Sequence, residues 1–86
     1  MAINNRRSEI EIVRDILNLV TKGAKKTQIL YQTNLSYTQL RDYLSFLLEK
    51  NFVEMHENNS SRIYRVTEKG TELLQSIKTV IRHLSC

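Results

Sequence analysis

Between Ser8 and Gly23 apolar residues recur every three or four positions, at Ile10, Val13, Ile16, Leu17 and Val20. At about 100° of rotation per residue, this spacing gathers them on one side of a helix. Ile12 and Leu19 widen the stripe, which predicts packing on more than one side. Ser8 and Glu11 stand in S-x-x-E order, so each side chain can satisfy a free backbone N–H of the first turn, and the helix is expected to start there. Gly23 offers a left-handed stop. "GAKKTQILYQTN" predicts a short second helix, with Thr27 as N-cap, Ile29 and Leu30 inward, and Thr33-Asn34 at its end. A third helix is expected from near Ser36, burying Leu40, Tyr43, Leu44 and Leu47, with Leu48 at the edge. Asn51 takes its C-terminal position, where glycine is commoner.

The period then changes. "NFVEMHE" and "RIYRV" are rich in β-branched and aromatic residues and are separated by "NNSS", where Asn tolerates positive φ, so a hairpin is predicted. Helical spacing resumes at Thr67, an N-cap candidate, with Glu68 in the favourable first turn. Leu74, Ile77, Ile81 and Leu84 follow a 3-4-3 spacing with Leu73 and Val80 alongside, as in a seam between helices. The chain is therefore expected to be mainly α with one β-hairpin. No proline, repeat or low-complexity tract divides it, which predicts a loose arm over 1–7, one domain over 8–67, and a C-terminal helix over 68–86.

Three helices followed by a hairpin is the layout of a winged helix, in which helix 3 enters the DNA major groove and the hairpin, or wing, reaches the neighbouring backbone. On a helical wheel Leu40, Tyr43, Leu44 and Leu47 take one side of helix 3, while Thr38, Arg41, Asp42 and Ser45 fan across the other and Gln39 and Phe46 lie on its flank. Arg can pair bidentately with guanine, Gln with adenine, and hydroxyls with bases or phosphates, which makes Arg41 and Gln39 the first candidates for base reading. The helix N-terminus favours a phosphate near Ser36 and Tyr37. The alternative is an ordinary solvated face. Asp42 would repel phosphate unless it pairs with Arg41 or Lys50, or accepts from a cytosine. Lys22, Lys25 and Lys26 precede helix 2, and Arg62 and Arg65 follow "NNSS", all expected near phosphates. Glu54 and Glu57 weaken the field of the first wing strand, so contact should concentrate at Arg62. Arg6 and Arg7 are either a minor-groove arm or a solvated tail.

Eighty-six residues are near the size at which one core only just offsets chain entropy, so association with another chain is expected. Thirteen Lys and Arg against nine Asp and Glu leave +4 and a pI near 9.5, which favours a polyanionic partner without identifying it. No apolar run approaches the roughly 18 to 20 residues of a membrane span, and "MAINNRRSEI" lacks the apolar core of a signal peptide, so a cytosolic location is expected. Cys86 is the only cysteine, and His56 and His83 fall in different elements, so no metal or other cofactor is expected. Tyr31, Tyr37, Tyr43 and Tyr64 are spread over separate elements and are expected to pack in the core or at its edges. With no Gly-rich phosphate loop, nucleophile elbow or HExxH, and little chain to enclose a pocket, neither catalysis nor a small-molecule substrate is expected.

"LSYTQLRDYLSFLLEKNFVE" and "YRVTEKGTELL" resemble helix 3 with the first wing strand, and the wing return into the last helix, of archaeal winged-helix DNA-binding proteins, a group that also occurs in archaeal viruses. The resemblance covers roughly Ile10 to Leu84. It implies double-stranded DNA binding as a homodimer paired through the last helix, a surface to which the Leu73, Leu74, Ile77, Val80, Ile81 and Leu84 seam also points. The alternative is that this helix packs only on helix 1 of its own chain. Cys86 would link subunits only in a parallel pair. A homodimeric, sequence-specific transcriptional regulator is the leading expectation. An architectural DNA-coating protein and a protein-binding module, which Phe46 favours, are its rivals.

Overall fold

The computed structural model describes residues 8–84. It contains α1 (Glu9–Val20), α2 (Lys26–Thr33), α3 (Tyr37–Glu49), β1 (Val53–Asn58), β2 (Ser61–Val66) and α4 (Glu68–Leu84), in the order expected from the sequence. Arg6, Arg7 and Cys86 lie outside the described residues.

The helix starts are fixed by side chains in two cases out of the first three. Ser8 Oγ accepts from Glu11 N at 3.2 Å while Glu11 Oε1 accepts from Ser8 N at 2.9 Å. The same reciprocal pair opens α3: Ser36 Oγ accepts from Gln39 N at 3.1 Å, and Gln39 Oε1 from Ser36 N at 3.1 Å. Helix α2 corrects the expectation for Thr27. It begins at Lys26 with Lys25 in the cap position and no side-chain cap bond. The reason lies one residue earlier, where Ala24 exchanges two backbone hydrogen bonds with Tyr64, at 2.9 and 2.8 Å, and so runs briefly beside β2. The chain enters α2 directly from that bridge, leaving Thr27 exposed within the first turn. Gly23, at φ 86°, makes the approach to the bridge, and Asn34 (φ 59°) and Asn51 (φ 65°) end α2 and α3 in the left-handed region.

Strands β1 and β2 pair antiparallel from Val53↔Val66 to Asn58↔Ser61 around a turn at Asn59-Ser60, with Asn59 at φ 55°. The core gathers Ile16, Leu17 and Val20 from α1, Ile29 from α2, Leu40, Leu44 and Leu47 from α3, and Val53, Tyr64 and Leu74 from the later elements. Each fully buried aliphatic side chain contributes about 1.5–3 kcal/mol over its exposed state. Thr33, 1% exposed, joins them by donating from Oγ1 to Ile29 O at 2.7 Å. Tyr43 is half-buried, where full burial was expected. Tyr31 departs further, at 84% exposed on α2.

The ends of α3 and α4 are tied together. Thr67 Oγ1 donates to Asn51 O at 2.6 Å and accepts from Gly70 N at 3.0 Å, while Lys69 Nζ donates to Lys50 O at 3.0 Å. The first turn of α4 thus lies directly on the Phe52 backbone, and a Cβ at Gly70 would overlap the Phe52 carbonyl oxygen. From this anchorage α4 packs along α1, burying Leu74 and Ile77. Leu73 and Ile81 are half-buried, and Val80 and Leu84 are 43% and 77% exposed. The six seam residues are therefore divided between the chain's own core and its surface.

Candidate nucleic-acid interface

The outer face of α3 carries Tyr37, Thr38, Arg41, Asp42 and Ser45, all exposed. The buried leucines at 40, 44 and 47 determine this: with that side of the helix held in the core, the residues on the opposite side of the wheel face outward. Arg41 Nη2 lies 3.4 Å from Asp42 Oδ1, with the two side chains 57% and 69% exposed. An exposed pair of this kind contributes about 0–1 kcal/mol, so Arg41 can leave it for a stronger acceptor at little cost. Asp42 is thereby partnered in one of the ways its position demanded. Gln39, the other base-reading candidate, has its Oε1 engaged in the cap of its own helix. A two-point contact with adenine would have to share that oxygen or open the cap.

Beside the start of α3 stands the start of α2. Lys26 Nζ donates to Tyr37 OH at 3.3 Å and sits 4.6 Å above the centre of the Tyr37 ring. Lys25, Lys26 and Thr27 then face Ser60 and Arg62 of the wing tip across an open cleft of about 420 Å³. Arg62 Nε donates to Glu57 Oε2 at 3.2 Å, its cross-strand partner, so the arginine expected to dominate wing contact already shares its charge with a neighbouring carboxylate. His56 Nε2 and Glu54 Oε2 approach to 3.5 Å on the same strand.

Two cations grouped with these by sequence lie elsewhere. Positions three apart in a strand fall on opposite faces, which separates Arg65 from Arg62. Arg65 lies over the turn between α1 and α2, where a Cβ at Gly23 would stand 3.1 Å from its Nη2. Lys22 lines a different polar groove with Asn18, Gln28, Gln75 and Lys78. The described structure thus brings Lys25, Lys26, Tyr37, Arg41 and Arg62 along one path and leaves Lys22 and Arg65 off it.

The sequence also gave little warning of an open groove of about 870 Å³ between α1, α3 and α4. Phe46, 46% exposed, and Phe52 stand in it with ring centres 6.5 Å apart. Its one sequence signal was Phe46, an aromatic residue on an otherwise polar side of α3. No helix among the described residues is long and apolar enough to cross a membrane.

A family model described as winged helix-turn-helix matches residues 6–85, and the chain belongs to that family. An uncharacterised protein of Methanocaldococcus jannaschii is 36% identical over 78 residues, which are 90% of this chain and 35% of that protein. The chain therefore spans about a third of that relative. A second uncharacterised protein of the same archaeon is 29% identical over 73 residues, 84% of this chain and 71% of its own length. Among solved structures, Sso10a-2, a DNA-binding protein from Sulfolobus solfataricus, superposes with a TM-score of 0.80 at 28% identity, covering 88% of this chain and 80% of that one. F93 from STIV, a winged-helix DNA-binding protein, superposes with a TM-score of 0.73 at 17% identity, covering 94% and 97%. The latter likeness is one of fold.

Proposed function

We propose that this chain binds double-stranded DNA, with α3 in the major groove and the start of α2 and the wing tip on the flanking phosphates, and that it acts as a homodimeric, sequence-specific transcriptional regulator. The observation that carries the reading is the position of Lys26. It touches Tyr37 at the start of α3 and shares a cleft with Arg62, which makes a continuous cationic path beside an exposed face of donors and acceptors. Arg41 reads a base edge, preferentially guanine, and Thr38 and Ser45 contact bases or phosphates. Ser36 and Tyr37 place the N-terminal amides of α3 near a phosphate. The 28% identity to a DNA-binding protein over most of the chain supports the same activity. One base-reading arginine and a net charge of +4 favour a site-specific regulator over a protein that coats DNA.

A protein-binding role is the second reading, favoured by exposed Phe46. Binding to a random duplex library at two salt concentrations, with the bound pool sequenced and the mass of the complex measured, separates these. Enrichment of an inverted repeat with weaker binding at higher salt is expected. Salt-sensitive binding without enrichment would assign an architectural role, and no binding at low salt would move the protein-binding reading to first place.

A further inference from the structure

The groove of about 570 Å³ that holds Lys22 lies between the end of α1, the outer side of α2 and the middle of α4. Each of the three gives it two polar side chains three or four residues apart: Asn18 and Lys22, Gln28 and Gln32, Gln75 and Lys78. That spacing sets each pair on one side of its element. Leu19, half-buried, and Leu74, buried, supply the apolar part between them. None of the residues lining the groove is acidic. Among the described residues, the six polar side chains make no hydrogen bond or ion pair with one another or with a neighbour.

Tyr31 borders the same side of α2, three residues from Gln28, and is 84% exposed. An aromatic ring left this bare by its own chain is what an interface uses as an anchor, because it brings a large contact area with few rotatable bonds. The α3 path lies elsewhere. Gln28 is about 200° around α2 from Lys26, so one short helix presents Lys26 to Tyr37 and the wing and Gln28 to this groove.

We propose that this groove binds an extended acidic segment of another protein, with Tyr31 as the anchor at its rim. The side-chain chemistry selects a polypeptide. An amide carries both donor and acceptor, as each unit of a polypeptide backbone does, so the amides of α1, α2 and α4 match an extended chain in both senses. A phosphodiester backbone offers acceptors only and would leave the amide oxygens unmet. Lys22 and Lys78 then take two carboxylates of the segment, and an apolar side chain between those carboxylates meets Leu19 and Leu74. Because the groove and the α3 path are separate, the peptide and a duplex bind at the same time. The proposal therefore does not depend on the DNA-binding reading.

The test selects a displayed library of random dodecapeptides on the full chain at low salt, and measures labelled synthetic copies of the enriched peptides by fluorescence anisotropy. Enriched peptides are expected to carry an apolar residue flanked by Asp or Glu. A Lys22→Gln, Lys78→Gln double variant and Tyr31→Ala, all at exposed positions and checked for fold by circular dichroism, should each weaken these peptides about tenfold or more. Both should leave binding of a labelled duplex unchanged. Selection without acidic bias, or acidic peptides indifferent to the double variant and to Tyr31→Ala, would overturn the proposal. So would peptides that a duplex displaces and that Lys25→Gln, Lys26→Gln weakens, since they would be imitating DNA on the α3 path. Duplex binding lost in the Lys22→Gln, Lys78→Gln variant would assign the groove to nucleic acid instead.

Discussion

Arg41, proposed above to read a base edge, lies on the exposed side of α3, one turn beyond Tyr37 at its start. Its contact with Asp42 is long and solvated, so exchanging that acceptor for guanine O6 and N7 gains two charge-assisted hydrogen bonds and loses little. Arg41→Ala should therefore cost about 1–3 kcal/mol at a preferred site and flatten the sequence preference, measured by titrating preferred and scrambled duplexes. Arg62→Ala, by contrast, should weaken both duplexes alike. Equal losses on both from Arg41→Ala would remove its base-reading role. The exposure of this residue was legible in the sequence, because the leucine period dictates which side of α3 is outward. The engagement of Gln39 had a sequence signal too, which its assignment to base reading passed over. Ser36 to Gln39 repeats, as S-x-x-Q, the signature that S-x-x-E announced at Ser8, and the observed bonds at both starts are the same.

The elements owe their arrangement to a few backbone approaches that no period announces. Gly70 is the sharpest case: inside a helical pattern a lone glycine ordinarily costs stability relative to alanine, so a buried one points to a close approach. Here the approach is to the Phe52 carbonyl, at the corner where α3, β1 and α4 meet. Gly70→Ala should destabilise the chain by at least about 3 kcal/mol, read from urea unfolding, since backbone rather than a flexible side chain must move. A loss within about 0.5 kcal/mol, the ordinary range for exposed sites, would mean that α4 can lift from β1 without consequence. The same contrast explains what the sequence yielded. Four helices and a hairpin were readable because each sustains its period over several residues. The bridge between Ala24 and Tyr64 involves one residue on one side and has no period to display, and it is what moved the start of α2 away from Thr27. On α4 the apolar stripe was readable, but its division into residues covered by the rest of the chain (Leu74, Ile77) and residues left outside (Val80, Leu84) depends on how α4 packs on α1, which the stripe does not encode.

For the molecule as a whole, net charge says less than the placement of its charges. The path from Arg62 through Lys25 and Lys26 to Arg41 concentrates cations on one side, while Lys22 and Lys78 share a groove lined by asparagine and glutamine side chains and Arg65 covers the α1–α2 turn. Each phosphate neutralised on B-DNA releases condensed counterion, giving a slope of about −0.9 in log K against log salt. With about five such contacts per protomer, each protomer should contribute about −4 to −5 to the slope. The geometry predicts unequal shares: a Lys25→Gln, Lys26→Gln double variant should make the slope shallower by about 2 per protomer, whereas Lys22→Gln should leave it nearly unchanged although Lys22 is close in sequence. Fluorescence anisotropy of a labelled duplex over a salt series measures all three slopes. If Lys22→Gln and the double variant shift the slope by equal amounts per charge removed, the phosphate backbone follows the sequence cluster and not the α2–wing cleft, and the docking of α3 would have to be turned toward the α1–α2 corner.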